Sequence, residues 1–212
     1  ALRYYTEKQL LSIFHAQYPN TLVRFVDTTP NDIAFGVIDN IYDFGCTNVM
    51  QPQKALSYER LFTQEFLLVV SDSTLREIKG DTLCLDELKK GVDLGDFLDI
   101  PYFGYPNSYV VTKLLHNYCE QEKKTLITRL ENPTAEATMQ MVMSNKGFTL
   151  LVADRLPLFQ NHAGSCSQPF YSFPIKSPTL EVPYYLVSKK DRPHPSHTRE
   201  LMSLTRRLLS AP

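Results

Sequence analysis

Residues 10–27 read L-L-S-I-F-H-A-Q-Y-P-N-T-L-V-R-F-V-D, and residues 28–45 continue T-T-P-N-D-I-A-F-G-V-I-D-N-I-Y-D-F-G. Leu10, Leu11, Phe14 and Tyr18 recur at helical spacing, and Pro19-Asn20 stops the helix. Leu22, Val23, Phe25 and Val26 form a brief apolar run of the length expected for a strand buried between layers. Thr29 then reads as an N-cap and Pro30 as the first helical residue. Asp32 falls in the first turn, where the positive end of the helix dipole favours a carboxylate. Ile33, Val37 and Ile41 continue the apolar face, and Tyr42-Asp43-Phe44-Gly45-Cys46 re-enters a sheet. Helix, strand, helix, strand in this order argues for an α/β fold.

Around this segment, composition narrows the possibilities. A chain of 212 residues with 43% hydrophobic content suffices for one domain or two small lobes with a real core. A formal net charge of −1 argues against a nucleic-acid surface, because bound phosphates need clustered Lys and Arg. Phe66-Leu67-Leu68-Val69-Val70 is the longest strictly apolar run noted, far too short to span a bilayer. No basic segment leads into an apolar stretch, so no signal peptide and no membrane partner are expected. Ala1 at the start is read as marking a fragment or a processed chain. Cys46, Cys84, Cys119 and Cys166 show no short spacing, so neither a zinc site nor a redox dithiol is signalled. They read as reduced, mostly buried thiols of a cytoplasmic protein, with Cys46 the one to check for reactivity.

Further along, Leu56–Phe62 and Glu65–Val70 read as two strands split by Thr63-Gln64, with a polar break at Ser71-Asp72-Ser73. Leu85–Lys90 is a short helix closed by Gly91, and Ile100–Tyr105 a strand. The helix Tyr109–Gln121 presents Val110, Leu114, Leu115 and Tyr118 on one side. Thr125–Leu130 is rich in β-branched residues and reads as a strand. Asn132-Pro133 caps a helix over Thr134–Ser144, whose Met139, Met141, Val142 and Met143 supply an apolar face. Phe148–Ala153, Phe170–Ile175 and Val182–Ser188 read as strands around a loop at Asn161–Gln168, and Ser196–Leu209 as the last helix.

The Phe14…Tyr18-Pro19, strand, helix, Tyr42-Asp43-Phe44-Gly45 pattern resembles the start of the effector-binding domain of LysR-type transcriptional regulators. Asn40 stands where many members carry Gly. Leu61-Phe62-Thr63-Gln64-Glu65 before an apolar strand resembles the same family. So does Met141-Val142-Met143-Ser144-Asn145-Lys146-Gly147 before Phe148-Thr149-Leu150-Leu151, although Val152-Ala153 replaces the family's usual Pro region. The resemblance covers nearly the whole chain, except that the family domain opens with a strand, which the few residues before Tyr4 do not supply. It implies a type 2 periplasmic-binding-protein fold. Two Rossmann-like lobes with mixed, mostly parallel sheets would be joined by two crossover strands. Lobe I would comprise residues 1–70 and 176–212, and lobe II residues 71–175. The crossings would fall near Ser71–Ser73 and near Lys176–Glu181.

No G-x-S-x-G, G-x-G-x-x-G or G-x-x-x-x-G-K-[ST] occurs, so neither a nucleophile elbow nor a phosphate-cradling glycine loop is signalled. His194 and His197 share a Pro-flanked segment that reads as surface, with Ser196 as helix cap, rather than as a metal site. Asp81, Asp86, Glu87, Asp93, Asp96 and Asp99 lack the spacing of a calcium loop and read as a solvated face. No cofactor, no metal and no enzymatic activity are expected. What remains is a set of strand-to-helix turns, where open α/β sheets hold ligands against free backbone N–H groups. They contribute Thr28, Thr47, Asn48, Tyr105, Asn107, Ser108, Asn132 and Thr134. The resemblance adds Thr6 at the start of the first helix. These turns carry no Arg or Lys, so the expected effector is a monoanion, or a neutral aromatic stacked on Tyr102, Tyr105 or Tyr109. By resemblance the effector would bind between the lobes. The chain would form a homodimer or homotetramer, and DNA would be contacted only through an N-terminal domain absent here. A solute-binding protein of a transport system is the alternative that the same fold allows.

Overall fold

A computed structural model describes residues 2–49, 51–107, 109–132, 134–144, 146–160, 169–177 and 180–209. In chain order the elements begin with α1 (Leu2–Gln17), α2 (Pro30–Ile38), β1 (Gly45–Asn48), β2 (Leu56–Ser71), α3 (Asp72–Lys79) and α4 (Leu85–Leu88). There follow β3 (Val92–Asp93), β4 (Tyr102–Gly104), α5 (Val110–Gln121), β5 (Thr128–Glu131), α6 (Ala135–Ser144) and β6 (Phe148–Val152). The last are α7 (Leu156–Gln160), β7 (Phe170–Ser177), β8 (Glu181–Lys189) and α8 (Ser196–Leu209). The chain divides into two compact units, Ala1–Gln64 with Val182–Pro212 and Glu65–Glu181.

In the first unit, β8 lies between β1 and β2, and β1 runs antiparallel to it. Successive strand residues point to opposite faces, and β8 uses both. Leu186 packs with Leu61 and Met202, so α8 covers one face. Val187 packs with Val37 and Leu56, so α2 covers the other. α1 lies on α8 through Leu10, Phe14 and Leu204, and the Tyr18 ring stacks on Phe14 at 5.1 Å. Helix α2 starts as its sequence dictates: Thr29 accepts from Asp32 N at 3.3 Å, with Pro30 first in the helix. It ends at Ile38, and Asn40 takes a left-handed φ of 60°, a conformation Asn tolerates better than most residues. Lys189 Nζ closes that end by donating to the Ile38 carbonyl at 2.7 Å.

In the second unit, the end of β2 lies between β6 and β7, antiparallel to both. β4 runs parallel to β5 and to β6, and β3 runs parallel to β7. Val69 and Leu151 point to one face, where Ala135, Met139 and Met143 of α6 cover them. Leu68, Val70, Phe148 and Leu150 point to the other and are equally buried. This face-sharing explains the near-continuous apolar runs of β2 and β6. Truncating the fully buried Met139 to Ala would cost roughly 2–5 kcal/mol.

Several expectations are corrected. Residues 22–26 form no strand: Leu22 is 80% exposed, Phe25 41% and Val26 46%, and no described strand pairs with them. An apolar run without a hydrogen-bonding neighbour has no ladder to join. The two runs expected over 56–70 are one strand, because Thr63-Gln64 are β-compatible and interrupt nothing. Ile41 lies beyond the end of α2 and is 72% exposed. Ser71 caps an unexpected helix, α3, by accepting from Thr74 N at 3.3 Å. Ser196 is the first residue within α8 rather than its cap. Of the thiols expected to be mostly buried, Cys119 is buried, Cys46 is half-buried and Cys84 is exposed. The expected loop at 161–168, with Cys166, lies outside the described residues.

Candidate functional site

Parallel β4, β5 and β6 release their chains at a common sheet edge, and three turns gather there in the second unit. After β4, Pro106 O accepts from Tyr109 N at 3.0 Å, and Thr112 Oγ1 donates to the Tyr105 carbonyl at 3.0 Å. Asn107 Oδ1 pairs with His116 Nε2 at 2.9 Å, which ties the turn to α5. After β5, Asn132 N donates to the Gly104 carbonyl at 2.8 Å, joining the second turn to the first. Asn132 Oδ1 accepts from both the N–H and the hydroxyl of Thr134, each at 2.8 Å, in place of an ordinary helix cap for α6. The third turn, Ala153-Asp154-Arg155, follows β6.

Of the expected contact residues, the structure therefore brings Tyr105, Asn107, Asn132 and Thr134 together. Asn107 and Thr134 are exposed. Among the described residues, no hydrogen bond engages the amide nitrogen of Asn107 or Asn132, so each keeps donors for a ligand. Ser108 lies outside the described residues. The aromatic expectation changes: Tyr102 is fully buried against Phe148, their ring centroids 5.3 Å apart, and offers no face for stacking. Tyr105 is only 6% exposed and stacks on Tyr109 at 5.3 Å. Burial pushes the Tyr105 phenol up to about 12, opposed chiefly by the charge of Arg155, with Tyr109, Glu136 and Asp154 acting the other way. Burial likewise raises Tyr102.

In the first unit, Thr28 and Thr29 both donate to Asp32 Oδ2, at 3.0 and 2.8 Å, so Thr28 serves the helix start. These hydroxyls, Thr29 first, hold the Asp32 carboxyl below the usual aspartate value. Thr47 is buried, and its hydroxyl donates to the Asn48 carbonyl at 3.1 Å. Asn48 Oδ1 is buried with no hydrogen-bond partner. A buried orphan acceptor costs about 1–3 kcal/mol unless something donates to it, so Asn48, like His194 in the same unit, has an unmet hydrogen-bonding demand. Thr6 lies in α1, its side chain outside those described.

Sequence reasoning missed Arg155, His116 and the Tyr102–Gly104 pair. Gly104 carried a signal, since a glycine inside a strand marks a close approach. Arg155 carried none, because the third turn was known only once β6 was seen parallel to β4. His194 is half-buried with both ring nitrogens buried and unpartnered, in place of the expected surface position. Among the described residues, no cluster of three His, Cys, Asp or Glu suits a metal. No described helix is long and apolar enough to cross a membrane.

A mixed α/β chain in which β2 carries strand pairing in both units has the architecture of a type 2 periplasmic-binding-protein fold. The chain belongs to the LysR substrate binding domain family, whose pattern matches residues 8–210. That family is one of regulator-type domains. Solved structures of similar fold include the effector binding domain of QuiR in complex with shikimate. It is 14% identical, with a TM-score of 0.73 over 96% of this chain and 90% of that one. The Synechocystis PCC6803 CcmR regulatory domain in complex with 2-PG is 13% identical, with a TM-score of 0.74 over 98% and 93%. Full-length CbnR complexed with its target DNA is 14% identical, with a TM-score of 0.67. There the match spans 96% of this chain but only 66% of CbnR. No curated protein matches by sequence.

Proposed function

We propose that this chain is the ligand-sensing domain of a cytoplasmic LysR-type transcription factor. Its effector is read at the carboxyl-edge turns of the second unit, by Asn107, Asn132 and Thr134. The family match over residues 8–210 carries this reading and disfavours a transport solute-binding protein on the same fold. The unspent Asn107 and Asn132 amide donors supply the recognition chemistry. Effector binding favours one of two arrangements of the regulator and so changes how an attached DNA-binding domain, supplied outside this chain, sits on its operator. The domain associates with copies of itself and performs no catalysis. A thermal-shift screen against small metabolites, with shikimate and 2-PG included, tests the reading. A saturating rise in Tm with a specific compound supports it. A screen in which no compound raises Tm contradicts it.

A further inference from the structure

We propose that Arg155 supplies the charge of the effector site and selects a ligand bearing an oxyanion, carboxylate or phosphate, over its neutral analogue. This rests on the reading that the effector binds at the carboxyl-edge turns, and it names the chemistry those turns accept. Arg155 closes the third of these turns, after β6, which runs parallel to β4. The first two turns offer hydroxyls and amides only. Arg155 is half-buried and makes no hydrogen bond or ion pair among the described residues, unlike Arg76, Arg192 and Arg206, each of which holds a carboxylate. Its reach into the first turn is visible at Tyr105, where it is the strongest charged influence, ahead of Glu136 and Asp154. A guanidinium fork at the same sheet edge as unspent Asn amide donors suits the two-oxygen face of a carboxylate or phosphate. Glu136, in the first turn of α6, and Asp154, next to Arg155 in the third turn, add negative charge at this sheet edge, which disfavours a second oxyanion group on the ligand.

The test uses matched acids and amides of equal shape, with benzoate and benzamide, glycolate and glycolamide, and phenylphosphonate added to the metabolite screen. Binding to the folded domain is measured by calorimetry for wild type, Arg155→Gln, Arg155→Lys and the exposed control Arg129→Gln. The expected result is that the best-binding acid exceeds its amide by at least about tenfold in wild type. Arg155→Gln abolishes that gap, Arg155→Lys keeps part of it, and Arg129→Gln leaves it intact. Equal affinity for acid and amide, or a gap that survives Arg155→Gln, overturns the proposal while leaving the effector-domain reading standing. A screen in which nothing binds wild type overturns both.

Discussion

The phenol of Tyr102 lies so close to Gly104, two residues further along β4, that a Cβ on residue 104 would fall 1.9 Å from its Cζ and 2.0 Å from its hydroxyl oxygen. Tyr102 is wholly buried and braced by Phe148, so the ring has nowhere to move. Gly104→Ala should therefore overpack the unit at about 1–3 kcal/mol, a fall in Tm of roughly 2–12 °C for a chain of this size. The turn bearing Tyr105 should shift with it. Thermal unfolding by circular dichroism checks this, and an unchanged Tm would mean that the ring is not held there.

At the start of α2, Thr29→Ala should cost about 1 kcal/mol through loss of the cap. Asp32 adds a pH signature. Its folded pKa lies below the ordinary 3.8, so the folded state binds its proton less readily than the unfolded state. Its stabilising contribution is present above that ordinary value and is lost as pH falls through the lowered folded one. The stability gap between wild type and Asp32→Asn should accordingly close on acidification below about pH 4. Parallel pH curves would show that the two hydroxyls do not favour the carboxylate.

His194 gives a second pH signature, of the same sign for a different reason. Burial first, then Arg192, depresses its pKa from 6.5; Arg199 adds to this, and Asp43 opposes it. A base that is harder to protonate when folded contributes stability above its unfolded pKa and loses it as pH falls. Between about pH 7.5 and 5.5, wild type should lose stability relative to His194→Phe, measured by urea unfolding. A wild type that gains stability over this range would contradict the placement of the ring.

How far these elements could be read from the sequence follows from their physics. Thr29, Pro30 and Asp32 announced a helix start that the structure reproduces, because capping is local and needs no tertiary partner. Asn132 was legible as a turn residue for the same local reason, although it accepts from the Thr134 N–H and hydroxyl ahead of α6 instead of capping a helix that starts at Thr134. Residues 22–26 misled because a strand is a relationship between segments: an apolar run is necessary but does not name its neighbour. Thr63-Gln64 misled in the opposite direction, since two polar residues are compatible with a strand continuing through them. The site was half legible. The turns after β4 and β5 follow strands visible in the text, whereas the orphan Asn48 acceptor and the Arg155 position depend on burial and sheet order. Neither burial nor sheet order has a one-dimensional signature.

Duplex DNA should not bind this domain alone at physiological salt. A formal charge of −1 leaves too few unopposed cations for counterion release. Fluorescence anisotropy with a labelled duplex, titrated with salt, should show no measurable slope. A slope of several phosphate contacts would place part of the DNA surface in this domain.

Effector recognition rests on the carboxyl-edge turns, through the exposed Asn107 and Thr134. The decisive measurement is calorimetry of wild type, Thr134→Val and Asn107→Ala with the compound that raises Tm. In Thr134→Val the backbone N–H of residue 134 still donates to Asn132 Oδ1, so Tm should change little. Asn107→Ala removes only a partner of His116 and should also change Tm little. Both variants should remain folded and bind at least about fivefold more weakly, the loss of one ligand hydrogen bond each. Folded variants that both bind as tightly as wild type would contradict this recognition.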